Sequence, residues 1–287
     1  MIVQTLVYGV ILGAFYGLVA IGLALLFGVM KYLNLAHGSF MMIGGYICYW
    51  IFALWHVDPI VSIPLVMVIM SLIGSILYKV LFSRLTKAPE GQRMNNSMLI
   101  TFGLILVLDN SAVAFWTSDV RTVSTSYFGT TLELFGIKFP LTGLIIIGLT
   151  LLVIVGLHLF LSRTYLGKSI RATAQDWEAA NLLGVNINRT YLISCGISIA
   201  LAGIAGTGVA VMYTLSPDIG LGWVLFAMVV MVLAGLGNIK EVFLAGLIMG
   251  ILEQLSAVFI GGHYRGIVSL AVFILILVVR PQGLFQR

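Results

Sequence analysis

The chain has 287 residues, of which 61% are hydrophobic and only 9% are charged, and its net charge is +5. A soluble domain has about one quarter charged residues. This composition therefore excludes an ordinary soluble domain and indicates a polytopic membrane protein. The positive charge is concentrated in predicted loops, which argues against nucleic-acid binding. Cys48 and Cys195 fall in apolar segments without metal or redox spacing, so we expect buried, inert thiols.

Nine apolar runs have the length of membrane spans, and eight or ten spans also fit because several runs are short or broken. They cover 2–29, 39–55, 60–82, 97–116, 141–161, 190–212, 222–236, 242–260 and 266–280. The first run is too long for a signal peptide and has no basic segment before it, so we expect it to stay as a span. The sequence predicts an all-α polytopic membrane helix bundle that forms one domain over residues 1–287.

The basic residues fall mainly on one side of this predicted bundle. That side holds Lys79, Arg84, Lys87, Arg93, Arg163, Lys168, Arg171, Arg189, Arg280 and Arg287, and the other holds Arg121, Lys138 and Arg265. Because cytoplasmic loops carry the excess of Lys and Arg, we expect the N-terminus outside and the C-terminus in the cytoplasm. The largest external segment is then 117–140, where 122–127 and 131–135 are predicted to form a short hairpin. Asp58, Asp119, Glu133 and Asp218 also fall on the external side.

Glycines recur every four residues in the first span, at Gly9, Gly13 and Gly17, and again at Gly246 and Gly250. Small residues at this spacing let helices approach closely in lipid. We expect these glycines to pack within the bundle rather than to form a homodimer contact.

Two polar interruptions break the apolar pattern, at 31–38 and at 235–241, and each contains an Asn and a Lys beside glycines. Corresponding broken segments in two halves of a chain point to inverted repeats and to a pathway near the membrane midplane. Two ordinary cytoplasmic turns are the alternative.

Acidic residues occur well inside apolar runs at Asp109, beside Asn110, and at Glu253. A charged acid at the bilayer centre costs about 2.5–3.5 kcal/mol on insertion scales, so these side chains should face the bundle or a wet cavity. They would suit a zwitterionic substrate, although hydrogen bonding between helices explains them equally well. The candidate translocation residues are Asn34, His37, Asp109, Asn110, Asn238 and Glu253. The histidines lack ligand spacing and no catalytic motif is present, so we expect no metal site and no enzyme activity.

One polar insert, 167–184, separates two of the predicted spans. Thr173 suits a helix start, the residues from Glu178 to Leu183 favour a helix, and Gly184 suits its C-terminal stop. The insert therefore predicts a short helix over about 171–184 outside the bilayer. Such a helix is too short to be stable alone and should pack against another element.

The order Glu178-Ala179-Ala180, then three residues, then Gly184 resembles the EAA loop of ABC-importer permeases. In that family the loop is a cytoplasmic coupling helix held in a groove of an ATPase subunit. The resemblance assigns ATPase coupling to Arg171, Asp176, Glu178, Ala179, Ala180 and Gly184. The proline common downstream in the motif is absent, and an ordinary solvated loop is the alternative.

Four stretches together resemble the LivH-type permeases of branched-chain amino-acid ABC importers, a family that also serves urea and short-chain amides. The matching stretches are 26–38, 170–184, 235–238 and 280–285. The chain departs from the family at Asp109, where a glutamine is frequent before the asparagine.

This resemblance implies a permease of the bacterial cytoplasmic (inner) membrane that works by alternating access. It implies a second, LivM-like permease, two ABC ATPase subunits and a soluble substrate-binding protein as partners, with membrane lipid around the bundle and no nucleic acid. ATP would be used by the partner subunits, and no cofactor would be bound by this chain. A urea or amide permease, a secondary carrier and a channel are the alternatives.

Overall fold

The computed structural model describes residues 2–87, 89–134, 136–239, 241–280 and 283–284. The described chain contains eleven α-helices. They are α1 Ile2–Met30, α2 His37–Trp55, α3 Pro59–Val80, α4 Glu90–Trp116, α5 Leu141–Arg163, α6 Tyr165–Gln175, α7 Trp177–Leu182, α8 Ile187–Met212, α9 Ile219–Ala234, α10 Val242–Phe259 and α11 Arg265–Val279. Short 3-10 helices cover Phe82–Lys87 and Gly262–Tyr264.

Eight helical segments of the described chain are long and apolar enough to cross a membrane, and α9 is a shorter apolar helix. The predicted all-α membrane bundle is therefore confirmed, and its nine apolar runs correspond to α1–α5 and α8–α11. Some sequence predictions lie outside the described residues. These are Phe135, Lys240, Arg287, the residues Pro281, Gln282 and Phe285 of the C-terminal stretch, and the side chains of Lys87 and Arg265.

The two ends of the bundle differ in charge. At one end, Lys31 at the end of α1 lines a small cavity with Arg93 and with Trp177 of α7. We call this the basic end, because Lys79 and Arg189 also lie here, together with α6. At the opposite end, the Gln4 side chain donates a hydrogen bond to the Lys138 carbonyl at 2.6 Å.

A two-stranded hairpin marks this opposite end, which we call the hairpin end. Its strands are β1 Thr131–Leu134 and β2 Ile137–Pro140, and Glu133 lies opposite Lys138. The prediction of a first strand at 122–127 was wrong. That stretch forms no strand, and its Val123 side chain is buried against the bundle at 2% exposure.

The most extensive contact between described helices joins α1 to α10, and glycines line it. A methyl group added at Gly13 would lie 2.6 Å from the Leu247 Cα atom, and one added at Gly250 would overlap the Gly13 backbone. Two backbones can approach this closely only where neither helix carries a side chain. The glycine spacing in the first span thus serves packing within the bundle, as the sequence predicts.

The two halves of the bundle repeat one another in opposite directions. In the first half α1, a six-residue break at 31–36, α2 and α3 follow one another; in the second, α8, a six-residue break at 213–218, α9 and α10 do so. α1 packs against α10 as α8 packs against α3, and α2 packs against α9. This is the arrangement of an inverted repeat. The counterpart of the first break is therefore 213–218 and not 235–241, whose described residues 235–239 form a turn after α9.

Candidate functional site

The helix α2 begins inside the bundle rather than at its end. Residues 31–36 run back from the basic end as non-helical chain beside α4. The Leu33 N–H donates to the Ser97 hydroxyl and the Leu35 N–H donates to the Thr101 hydroxyl, each at 3.1 Å. Irregular backbone is tolerated at membrane depth where protein satisfies its polar groups, and these two hydroxyls do so.

Asn34 and His37 are fully buried where this break meets α2. Nε2 of His37 lies 3.3 Å from the carbonyl oxygen of Val19. The two polar atoms of the Asn34 amide and Nδ1 of His37 have no hydrogen-bond partner in the described chain. These atoms make the start of α2 a polar point in an otherwise apolar interior. Such unpartnered buried atoms are rare in proteins.

The helix α9 also begins inside the bundle. A methyl group added at Gly220, in its first turn, would lie 2.7 Å from the carbonyl carbon of Gly38 at the start of α2. Trp223 packs edge-on against Phe15 with 4.9 Å between ring centroids. Phe15 is about 20 Å along α1 and Val19, which His37 contacts, is about 26 Å along it. Because α1 is about 43 Å long, both helix starts lie in its middle third.

One cavity beside these helix starts has a volume of about 390 Å³ and lies between α4 and the 213–218 break. We call it the Asp109 cavity. It is lined by Asp109, Asn110, Val113, Ser118, Pro217 and Asp218. Oδ1 of Asp109 is buried and has no hydrogen-bond partner among the described residues. The Asn110 amide donates to the Leu106 carbonyl at 2.7 Å within its own helix.

A second cavity of about 480 Å³ lies between α1, α9 and α10, and we call it the Glu253 cavity. Glu253 is buried at 3% exposure and accepts a hydrogen bond from the Tyr16 hydroxyl at 2.6 Å. Phe226 stacks on the Tyr16 ring at 5.1 Å. Asp218 lines this cavity as well as the Asp109 cavity. The two cavities therefore adjoin the N-terminus of α9, where Asp218 borders both.

This arrangement can bind both ends of a zwitterion. The N-termini of α2 and α9 carry partial positive charge, which favours a carboxylate. The carboxyl oxygens of Asp109, Asp218 and Glu253 are acceptors that suit an ammonium group. The aromatic rings of Tyr16 and Trp223 provide an apolar wall between these poles.

The structure brings together some of the predicted pathway residues and not others. Asp109 and Asn110 share one cavity, Glu253 lines the other, and Asn34 and His37 lie in the interior at the start of α2. Asn238 lies elsewhere. Its N–H donates to the Gly235 carbonyl at 2.9 Å in the turn after α9, where Gly237 packs against Gly28 near the basic end of α1.

Sequence reasoning missed Asp218, which it assigned to the external side. The structure places Asp218 immediately before α9, where its side chain accepts a hydrogen bond from the Ser216 hydroxyl at 2.5 Å. A signal was present, because Ser-Pro-Asp before an apolar run is a common helix start. Tyr16 and Trp223 were also missed, since aromatic residues within apolar helices carry no functional signal of their own.

The polar insert forms two helices rather than the single predicted helix over 171–184. Asp176 ends α6 and begins α7, and its carboxylate accepts hydrogen bonds from the N–H groups of Glu178 and Ala179 at 3.0 Å. Thr173, the predicted helix start, is buried within α6. Asp176 displaces it because a carboxylate that accepts two N–H groups is a strong N-cap. Gly184, with φ of +84°, stands after the end of α7 as predicted.

The short helix α7 carries an exposed apolar tip at the basic end. Leu182 and Leu183 are 88% and 85% exposed. On the same helix Glu178 and Ala179 are exposed and Ala180 is buried against the bundle, while Arg171 is exposed on α6. The Arg93 guanidinium lies 5.1 Å from the ring centre of Trp177, which holds α7 to the start of α4.

Comparison with known proteins decides the family. Residues 5–277 match the family described as branched-chain amino acid transport system / permease component. The chain belongs to this permease family. It is 31% identical to the high-affinity branched-chain amino acid transport system permease protein BraD of Pseudomonas aeruginosa, over 99% of this chain and 95% of that protein. It is 29% identical to LivH of Escherichia coli K12 over the same shares of the two chains.

Membership of the permease family accounts for the membrane bundle, and a permease component is not itself an enzyme. The chain is also 31% identical to LivM of Escherichia coli K12, over 57% of this chain and 40% of LivM. The LivH and LivM permeases are thus both related to it. No solved structure matches.

Proposed function

We propose that this permease moves branched-chain or other small amino acids across the cytoplasmic membrane as one half of the pore of an ABC importer. The observation that carries the proposal is the meeting of two interrupted helices, α2 and α9, at Gly38 and Gly220 in the middle third of the bundle. Half-helices that begin at this depth are typical of substrate sites in transporters.

The substrate would bind at the N-terminus of α9, where Asp218 borders both cavities. Its ammonium group would lie near Asp218, with Asp109 and Glu253 on either side, and its carboxylate would face the helix N-termini. Its side chain would lie against Tyr16 and Trp223. The apolar wall favours leucine, isoleucine or valine over polar amino acids, since an apolar pocket gains from each buried methylene.

Coupling to ATP would pass through α7. Exposed leucines in an aqueous loop are unusual, and an apolar tip flanked by Glu178 suits a groove on a partner ATPase. Closure of two ATPase subunits would move α7, and the packing of Trp177 against Arg93 would transmit this movement to α4, which lines the Asp109 cavity.

The orientation and the partners follow from the same account. The basic end faces the cytoplasm, so the N-terminus and the hairpin end lie outside. A second, LivM-like permease completes the pore, and a soluble binding protein delivers the substrate to the hairpin end. Relatives named LivH and LivM support the pairing.

The test is affinity purification of the chain from its native membrane, followed by mass spectrometry and by uptake of radiolabelled leucine into proteoliposomes. We expect two ATPase subunits and a second permease to copurify, and uptake to require ATP. Uptake by the chain alone without ATP would show a carrier or a channel. A complex that carries urea or an amide but no amino acid would contradict the assigned substrate.

A matched pair of variants tests the coupling. The double variant Leu182→Ser/Leu183→Ser should lose most of the copurifying ATPase while the chain still inserts into the membrane. Tyr165→Ser, which removes an apolar side chain that is 78% exposed on the neighbouring α6, is the control and should retain the ATPase. Equal ATPase recovery with both variants would contradict the role of α7.

A further inference from the structure

Two cavities follow one another along the contact between α3 and α8, one at the basic end and one nearer the middle of the bundle, and we call the pair the α3–α8 groove. We propose that this groove binds one anionic phospholipid, with the headgroup phosphate at the basic end and an acyl chain along the apolar part. The groove shares no residue with the Asp109 cavity or the Glu253 cavity, and it is separate from the exposed tip of α7.

The headgroup part is a polar cavity of about 480 Å³ at the basic end. It is lined by Tyr78, Lys79, Ser83, Thr86, Asn186, Asn188, Arg189 and Leu192. This lining contains two cations from different helices and no acidic residue of the described chain. Both Lys79 and Arg189 are exposed, so their charges can reach a ligand without leaving water.

Two further donors favour an anion here. The N-terminus of α8, a helix of 26 residues, borders the cavity, and the positive end of its dipole attracts negative charge. The Tyr78 hydroxyl donates to Oδ1 of Asn188 at 3.2 Å, which leaves the Asn188 amide nitrogen as a donor. An ammonium, a guanidinium, an amide and a helix N-terminus together form a set that suits the oxygens of a phosphate.

The apolar part lies on the same two helices, nearer the middle of the bundle. This groove of about 350 Å³ is lined by Met67, Val68, Ser71, Leu72, Ile197, Ala200 and Leu201. Ala200 and Leu201 are buried and form its floor, while Val68 and Leu72 are exposed and form a wall. Leu72 precedes Tyr78 by six residues and Ile197 follows Leu192 by five, so the two parts are roughly 8 Å apart along the helices.

The combination distinguishes a phospholipid from a free anion. Basic pockets between membrane helices bind the headgroups of anionic lipids. A free phosphate would use only the cations, whereas a phospholipid fills the apolar groove as well. The alignment of a cationic cavity and an apolar groove on one pair of helices therefore favours the lipid.

The experiment measures the thermal unfolding midpoint of the full chain, purified in its permease complex and stripped of lipid in detergent. Dioleoyl phosphatidylglycerol, dioleoyl phosphatidylcholine and inorganic phosphate are titrated separately, because a ligand that binds the folded state raises the midpoint with its concentration. Lys79→Gln/Arg189→Gln removes the two charges. Arg84→Gln/Arg163→Gln removes two exposed charges at the same end, outside the cavity, and is the control. The variant Ala200→Leu fills the groove. If it does not fold, Val68→Trp, at an exposed position of the same groove, is used instead.

We expect phosphatidylglycerol to raise the midpoint at lower concentration than phosphatidylcholine. Neutralising both charges should weaken this binding roughly 30-fold, since each basic residue near an anionic headgroup strengthens binding about fivefold. The control variant should bind phosphatidylglycerol as strongly as the parent does. The groove variant should weaken the binding of lipid but not the effect of inorganic phosphate. Unchanged phosphatidylglycerol binding by Lys79→Gln/Arg189→Gln would overturn the proposal. Equal protection by inorganic phosphate, with no effect of the groove variant, would show a site for a free anion instead.

Discussion

The hydrogen bond from Tyr16 to Glu253 shows how this chain keeps an acidic residue at membrane depth. The carboxylate is 3% exposed, and a phenol from another helix reaches it at 2.6 Å. A hydrogen bond between two buried groups is stronger than the same bond in water, because the surrounding dielectric is low. The bond also joins α1 to α10 at the wall of the Glu253 cavity, so the same pair of residues supports both packing and polarity.

Replacing Tyr16 with Phe should therefore destabilise the protein. The variant keeps the ring and its stacking on Phe226 but removes the donor, so we expect a loss of about 1–3 kcal/mol. The measurement is the thermal unfolding midpoint of the purified chain in detergent. Tyr8→Phe, which removes a hydroxyl from a partly exposed tyrosine of the same helix, is the control. A Tyr16→Phe midpoint equal to that of Tyr8→Phe would count against the bond.

Only some of the site residues could be predicted from the sequence. Asp109, Asn110 and Glu253 stand out because acids and amides are rare in apolar runs, and each lines a cavity. Asp218 did not stand out, because it lies in a loop, where a charged residue is usually exposed to solvent. Its position depends on how far the 213–218 break enters the bundle, and that depth is set by packing between α2 and α9 rather than by local sequence.

Among the elements, α2 and α9 define the pathway because their first turns touch. Gly38 and Gly220 provide the contact, and neither position has room for a Cβ atom. The two half-helices can thus bring their N-termini close together without side chains between them.

Gly220→Ala should disturb this contact. Its Cβ atom would lie 2.7 Å from the carbonyl carbon of Gly38, and forcing a methyl into such a space costs about 1–3 kcal/mol. We expect a lower unfolding midpoint and slower leucine uptake. Gly148→Ala in α5 is the control, because no described atom lies within 4 Å of its Cβ position and the residue lines neither cavity. Similar behaviour of the two variants would show that the contact is not needed.

Local sequence predicted some element boundaries and not others. The break at 31–38 was predictable because Lys31, Asn34 and His37 interrupt an apolar run. The division of the polar insert was not, since Thr173 and Asp176 both suit a helix start. Asp176 becomes the cap because its carboxylate binds two backbone N–H groups, while Thr173 is buried within α6.

For the whole molecule, the inverted repeat explains why the breaks come in a pair. α1 and α8 run in opposite directions, and each is followed by six non-helical residues and a helix that begins inside the bundle. The number of apolar runs and the concentration of basic residues at one end followed from the order of residues along the chain. The pairing of the halves did not, because 31–36 and 213–218, aligned by position, share only a leucine at the third position and are related by their place in the fold.

The proposed substrate route passes the N-terminus of α9, where Asp218 borders both the Asp109 cavity and the Glu253 cavity. Its most direct test is the Thr214→Cys variant in the reconstituted complex. Thr214 is exposed and lines the Glu253 cavity, while the native Cys48 and Cys195 are buried. A membrane-impermeant maleimide should label the new thiol, and leucine should slow the labelling severalfold, whereas labelling of Thr131→Cys on the hairpin should not change. Labelling of Thr214→Cys that is unaffected by leucine, in a complex that still imports leucine, would rule out this route.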